Sequence, residues 1–199
     1  MMDVLLEPVK FFEKTRERPP RPWLGYLVAV LASLVPGLAS LVASRELGNP
    51  VGFGPSWLWM LLGALVAGLF FWGLFGVAFH FATGLGARAF ELAGWAFAPG
   101  VVVGLLLLAV GALFPIQADL PPRPTDPSQF ENWFRAYQTA VRASTYTQVS
   151  RWAGVLSVLW SAWIVYAGGR VFAEKRAVLL VVIFLVIEAF FMVPGFFFG

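Results

Sequence analysis

Leu24–Ser44 is a run of 21 residues without a charge. At about 1.5 Å per helical residue it can cross a hydrocarbon core of ~30 Å. Four more apolar runs follow: Ser56–Phe81, Phe90–Phe114, Trp152–Phe172 and Ala177–Phe198. Lipid supplies no hydrogen-bond partners, so each run must satisfy its own backbone, and a helix does this within one segment. The expectation is an all-α membrane protein: a bundle of five transmembrane helices with amphipathic interfacial helices.

Composition points the same way. Of the 199 residues, 59% are hydrophobic and only 13% charged, against about 25% charged in ordinary soluble domains. The 9 Trp and 20 Phe suit the membrane–water boundary, where a ring can be apolar at one end and wet at the other. Cys is absent and there is one His. Disulfides, thiolate nucleophiles and multi-His metal cages are thereby excluded, and no metal or cofactor is expected. The net charge of +3 is too small to suggest a nucleic-acid partner and reads as membrane orientation.

Residues 1–22 form a cytoplasmic amphipathic segment. Leu5, Val9 and Phe12 recur at helical spacing among nine charges, which predicts a short helix on the membrane surface. Pro19, Pro20 and Pro22 then end it. A charged leader of this length before a 21-residue run is not a signal peptide, so the first run is read as a retained span. Residues 23–199 form the five-helix domain, with spans at about 24–44, 56–81, 90–114, 152–172 and 177–198. Pro36-Gly37 predicts a kink in the first span, and the Gly/Pro-rich 48–55 a turn after it.

Residues 115–151 form an extracytoplasmic loop, opened by Pro121-Pro122-Arg123-Pro124. In it Phe130, Trp133, Phe134, Tyr137 and Val141 share one helical face. That face is expected to rest on the bundle or the outer leaflet. Counting Lys and Arg, the side holding the N-terminus carries 9 and the other side 5. The excess predicts a multi-pass protein of the cell membrane with a cytoplasmic N-terminus and an extracytoplasmic C-terminus.

Glu188 lies about mid-way along the fifth run. An ionised carboxylate there costs roughly 2.5 kcal/mol or more, so it is expected to face the bundle interior. Depth matching places Ser161 and Trp160 beside it, with Ser161 the leading hydrogen-bond donor. This intramembrane polar site admits two roles: a relay or polar contact for a substrate, or a hydrogen bond that fixes helix packing.

Small residues four apart predict close helix contacts: Ala96, Gly100 and Gly104, then Ala153, Ser157 and Ser161, and also Ala64 and Gly68. Pro99 interrupts the third span as a kink. On the cytoplasmic face His80, Arg88 and Glu91 are polar, and His80 with Glu91 is read as an interfacial pair rather than a catalytic one. Gly84-Leu85-Gly86-Ala87-Arg88-Ala89 matches GxGxxA, but a dinucleotide site needs a strand before it, and here an apolar span precedes it.

Several stretches carry a family likeness. They are Leu5-Leu6-Glu7-Pro8-Val9-Lys10-Phe11-Phe12, the loop Gly84–Leu92, Gly94-Trp95-Ala96-Phe97-Ala98-Pro99, and Trp160–Tyr166 with Gly168-Gly169-Arg170 and Lys175-Arg176-Ala177. With these the chain resembles the Yip domain family, five-span membrane proteins named for interaction with Ypt/Rab GTPases, in its short prokaryotic type. The long N-terminal cytosolic region of eukaryotic members, with its acidic-aromatic motif, does not stand in this sequence. The resemblance therefore implies architecture more than Rab binding.

The first functional expectation is a non-enzymatic protein of membrane organisation or trafficking-like scaffolding. Its partners would be membrane lipids, other membrane proteins or a second copy of itself. The alternative is a small transporter, channel or lipid-translocating protein using Glu188. A dry, fully packed Glu188 would speak for the scaffold, and a groove reaching it would speak for translocation.

Overall fold

The computed structural model describes residues 2–45, 56–117, 124 and 126–197. The turn at 48–55 and the opening of the long loop at 121–123 lie outside them. Every regular element among the described residues is helical: α1 (Met2–Leu6), α2 (Pro8–Arg16), α3 (Pro22–Ala43), α4 (Ser56–Thr83), α5 (Ala87–Ala96), α6 (Ala98–Leu113), α7 (Pro127–Ala143), α8 (Thr145–Ala173) and α9 (Ala177–Phe197), with a 3-10 turn at Glu174–Arg176. Three stretches are long and apolar enough to cross a membrane: Pro22–Ala43, Leu58–Thr83 and Ala87–Leu113.

Helix α3 is the hub, packing on α4, α5 and α6. Glycines let these backbones approach where lipid provides little drive for association. Gly68 of α4 faces Val30, Gly104 of α6 faces Pro36, and Gly111 faces Ala39 and Ala43. Ala64 and Ala96 are buried. The closest approach is between Gly25 of α3 and Gly94 of α5. The helix runs on through Pro36, which cannot donate to the carbonyl of Ala32. At the far ends of α3 and α6, the Arg45 guanidinium donates to the carbonyls of Gly111 and Ala112. The Ile116 N–H donates to the Ala43 carbonyl at 2.7 Å. These bonds occupy carbonyls that a helix terminus otherwise leaves open.

The third apolar run is two helices rather than one. It breaks at Phe97, and Pro99 sits in the first turn of α6, where its missing N–H costs nothing. Between α4 and α5 the chain reverses through Gly84 and Gly86, at φ +75° and +58°. Only glycine adopts such angles freely, which accounts for the two glycines of the GxGxxA match. The Gly86 N–H donates to Nδ1 of His80 at 3.1 Å, and Arg176 donates to the Ala82 carbonyl.

The N-terminal segment departs from the expected single helix on the membrane surface. It is two helices, divided at Glu7 with Pro8 opening the second. Val4 and Phe12 are fully buried and Leu5 nearly so. The pair runs along α8, with the Trp160 indole N–H donating to the Leu5 carbonyl at 3.0 Å. Phe12 meets the edge of Phe172, ring centroids 5.5 Å apart, and lies over Gly168. The physical reason is shape. Gly168 leaves a bare place on α8 that the Phe12 ring and Leu92 fill, while Gly169 faces Ala177 and Leu180, and an aromatic ring fills such a place better than lipid.

Helix α7 starts at Asp126, whose carboxylate accepts from the Ser128 N–H at 2.9 Å. That hydrogen bond holds the carboxyl below its ordinary range. Phe130, Phe134 and Tyr137 stack in sequence along the helix, with Trp133 stacked beside Tyr137. Trp133 is buried and Val141 packs against a cluster of Ala39, Ala43, Leu107, Ile116 and Tyr146. The Val141 end of this face therefore lies on the bundle, while Phe134 is exposed.

Candidate functional site

A cavity of about 650 Å³ lies between α3 and α6 on one side and α8 and α9 on the other. Its wall on α8 is made by Thr147, Ser150, Gly154, Ser157 and Ser161. These positions are spaced 3, 4, 3 and 4, so they form one stripe along a single helical face. The stripe covers about 21 Å at ~1.5 Å per residue. Ser33, Pro36 and Ser40 of α3 line the opposite wall, and Gly100, Val103 and Leu107 of α6 lie beside them. Val141 and Ile116 stand at the end near Thr147. At the other end are Glu188, Phe71, Phe97 and Phe191.

The local sequence explains why a cavity forms here. Gly100, Gly154 and the serines are too small to fill the space between the two helix pairs, and Pro36 has a rigid ring. The aromatics at the Glu188 end wedge the helices apart. Phe71 and Phe191 meet edge-on with centroids 5.0 Å apart, and Phe97 meets Phe75 at 5.6 Å.

Glu188 lines this cavity together with Ser161 and Ser157, and it is partly buried. The expected hydrogen bond from Ser161 to Glu188 is not among the bonds of the described residues. The two groups instead face a shared space. Trp160 is not beside Glu188 either, because its N–H is held by Leu5. The polar wall of α8 replaces the single donor that depth matching chose. The apolar runs showed only its Ser157 and Ser161 half, because Thr147 and Ser150 precede the fourth run. A reading with period 3.5 across Thr145–Ser161 finds it.

The small-residue stripes divide between two uses. Ala96 and Gly104 pack helix to helix, as above. Gly100 has Ala32 close by and also borders the cavity. Ala153 packs against the Tyr146 cluster. Ser157, expected as a packing residue, lines the cavity instead, and Ser161, expected beside Glu188, lines it with Glu188.

The residues expected on the cytoplasmic face form a different set of contacts from the one expected. His80 and Glu91 do not pair. His80 accepts from Gly86, and Glu91 is bound by Arg88, Nη1 to Oε2 at 2.7 Å, with both side chains largely buried. Arg88 also donates to the Arg18 carbonyl and stands 5.1 Å from the Phe172 ring centroid. One guanidinium thus ties the end of the N-terminal segment to α5 and α8. This cluster is a structural joint between the N-terminal segment, α5 and α8. Among the described residues no group of His, Asp and Glu could hold a metal ion.

A family model described as Yip1 domain matches residues 2–195. No curated protein matches the chain, and no solved structure does.

Proposed function

The chain belongs to the Yip1 domain family, and on that premise we propose that it is a non-enzymatic membrane protein that holds an amphiphilic molecule in the Glu188 cavity. The observation that carries this reading is the cavity itself, about 650 Å³ and lined from Thr147 to Glu188. A scaffold stabilised only by packing has no use for such a space, whose walls forgo dispersion contacts. Mostly apolar walls with a few polar groups are the usual make-up of a small-molecule site. Membrane organisation is then the setting, and lipid handling the act.

In this reading the bundle has five spans in the cell membrane, with α8 and α9 as the fourth and fifth. Supporting it, Leu156, Leu159 and Trp163 of α8 and Val178, Val182, Val186 and Phe190 of α9 are exposed. So large an apolar surface suits lipid rather than water. The excess of Lys and Arg puts the N-terminus in the cytoplasm. A reporter enzyme inserted near Ala87 is expected to read as cytoplasmic, and one fused after Gly199 as extracytoplasmic. The reverse pattern of activity would invert the topology.

The binding reading is tested with a photoactivatable long-chain alcohol in phosphatidylcholine vesicles carrying the full chain. Label is expected on the stretch Gly154–Ser161 and around Glu188. Ser157→Trp should reduce it by about tenfold, the loss that ~1.4 kcal/mol of steric conflict produces. Label spread only over lipid-facing Leu105, Leu159 and Val186, and indifferent to Ser157→Trp, would sink the idea.

A further inference from the structure

We infer that the Glu188 cavity selects a lipophilic cation. The inference rests on the binding reading above and adds to it the charge of the guest. Three observations converge on it. The first is charge. Among the described residues that line the cavity, Glu188 is the one acidic residue, and no Lys, Arg or His stands with it. An anionic head would meet a carboxyl with no cation to offset it, whereas a cation would neutralise a group that is costly to ionise at this depth.

The second observation is the direction of two of the hydroxyls, those of Ser33 and Ser150; those of Ser157 and Ser161 have no such bond among the described residues. The Ser33 hydroxyl donates to the Ala29 carbonyl at 3.2 Å, and that of Ser150 to the Thr147 carbonyl at 3.0 Å. Their protons are committed to their own helices, which leaves oxygen lone pairs for a guest. The walls there offer acceptors, and a cation is the guest that acceptors favour.

The third observation is the aromatic end. Phe71, Phe97 and Phe191 line the same end as Glu188. The face of an aromatic ring attracts a cation, and more strongly where water is excluded. A carboxyl beside phenyl rings in an apolar chamber suits a bulky organic cation, held by charge and wrapped by rings. A metal ion would find too few oxygen ligands there.

The test uses two probes of one shape and opposite charge, tetraphenylphosphonium and tetraphenylborate, with the full chain in neutral detergent micelles. Equilibrium dialysis measures saturable binding. Tetraphenylphosphonium is expected to bind one per chain, and tetraphenylborate to show no saturable component. Glu188→Gln should weaken the cation roughly tenfold or more, while Glu188→Asp should retain the preference for the cation. Circular dichroism of each variant in the same micelles reports that it is folded. Equal binding of the two ions, or cation binding unchanged in Glu188→Gln, would overturn the inference. If the alcohol labels the cavity and the cation does not bind, charge selection falls and the binding site stands. If neither probe enters, both fall together.

Discussion

Replacing Arg88 with Met is expected to destabilise the protein by about 3–5 kcal/mol. The substitution strands Glu91, whose side chain is only 4% exposed, as a buried charge without a partner. It also removes the contact to the Arg18 carbonyl and the cation over Phe172, so the N-terminal segment loses its anchor. Arg88→Lys should recover little, because an ammonium cannot hold a carboxylate, a carbonyl and a ring face at once. The double change Arg88→Met with Glu91→Leu should regain most of the loss, since no unpaired charge remains. Lys10→Ala is the contrast. Its pair with Glu7 is well exposed, and the change should cost no more than about 1 kcal/mol. Unfolding of purified protein in detergent, followed by circular dichroism, measures all four. A loss under about 1 kcal/mol for Arg88→Met would show that the joint is not structural.

Gly94→Ala should be comparably damaging, about 3 kcal/mol or more, at or beyond the upper end for overpacking. A Cβ on Gly94 would stand 2.0 Å from the Gly25 Cα and 2.2 Å from its carbonyl carbon. Those are backbone atoms, and no rotamer change relieves them, so α3 and α5 would have to separate. Gly73 is the control. A Cβ there meets nothing within 4 Å, and Ala in place of Gly in a helix is favoured by about 1 kcal/mol. The same unfolding measurement should therefore move in opposite directions for the two substitutions. Parallel shifts would mean that the crossing of α3 and α5 is looser than its geometry.

The contrast between these two glycines also explains what was legible beforehand. The all-helical character follows from long apolar runs with few charges, a property any window along the chain can see. Small residues repeating every four positions were visible for the same reason. Gly25 and Gly94 were not, because each is a single residue whose importance comes from a partner on another helix. The cavity was half legible. Glu188 drew notice by its charge in an apolar run, and Ser161 by matching its depth, but Ser157 read as a packing residue, and Thr147 and Ser150 as loop. Whether a serine meets a helix or a void depends on how far apart two helix pairs stand, and Phe71, Phe97 and Phe191 help set that spacing from other elements. The fate of Phe12 was hidden likewise. An amphipathic helix facing lipid and one facing a bare glycine carry the same pattern of apolar residues.

The docking of α1 and α2 along α8 has a consequence for the order in which the protein is built. The Leu5 carbonyl and the Trp160 indole are 155 residues apart in the chain. At about 5–20 residues per second, the ribosome delivers Trp160 roughly 8–30 s after Leu5. Throughout that interval Val4, Leu5 and Phe12 have no groove to enter, because Gly168 and Phe172 do not yet exist. The segment around Leu5 must wait at the bilayer surface or against a chaperone, and its docking can begin only once α8 has been made.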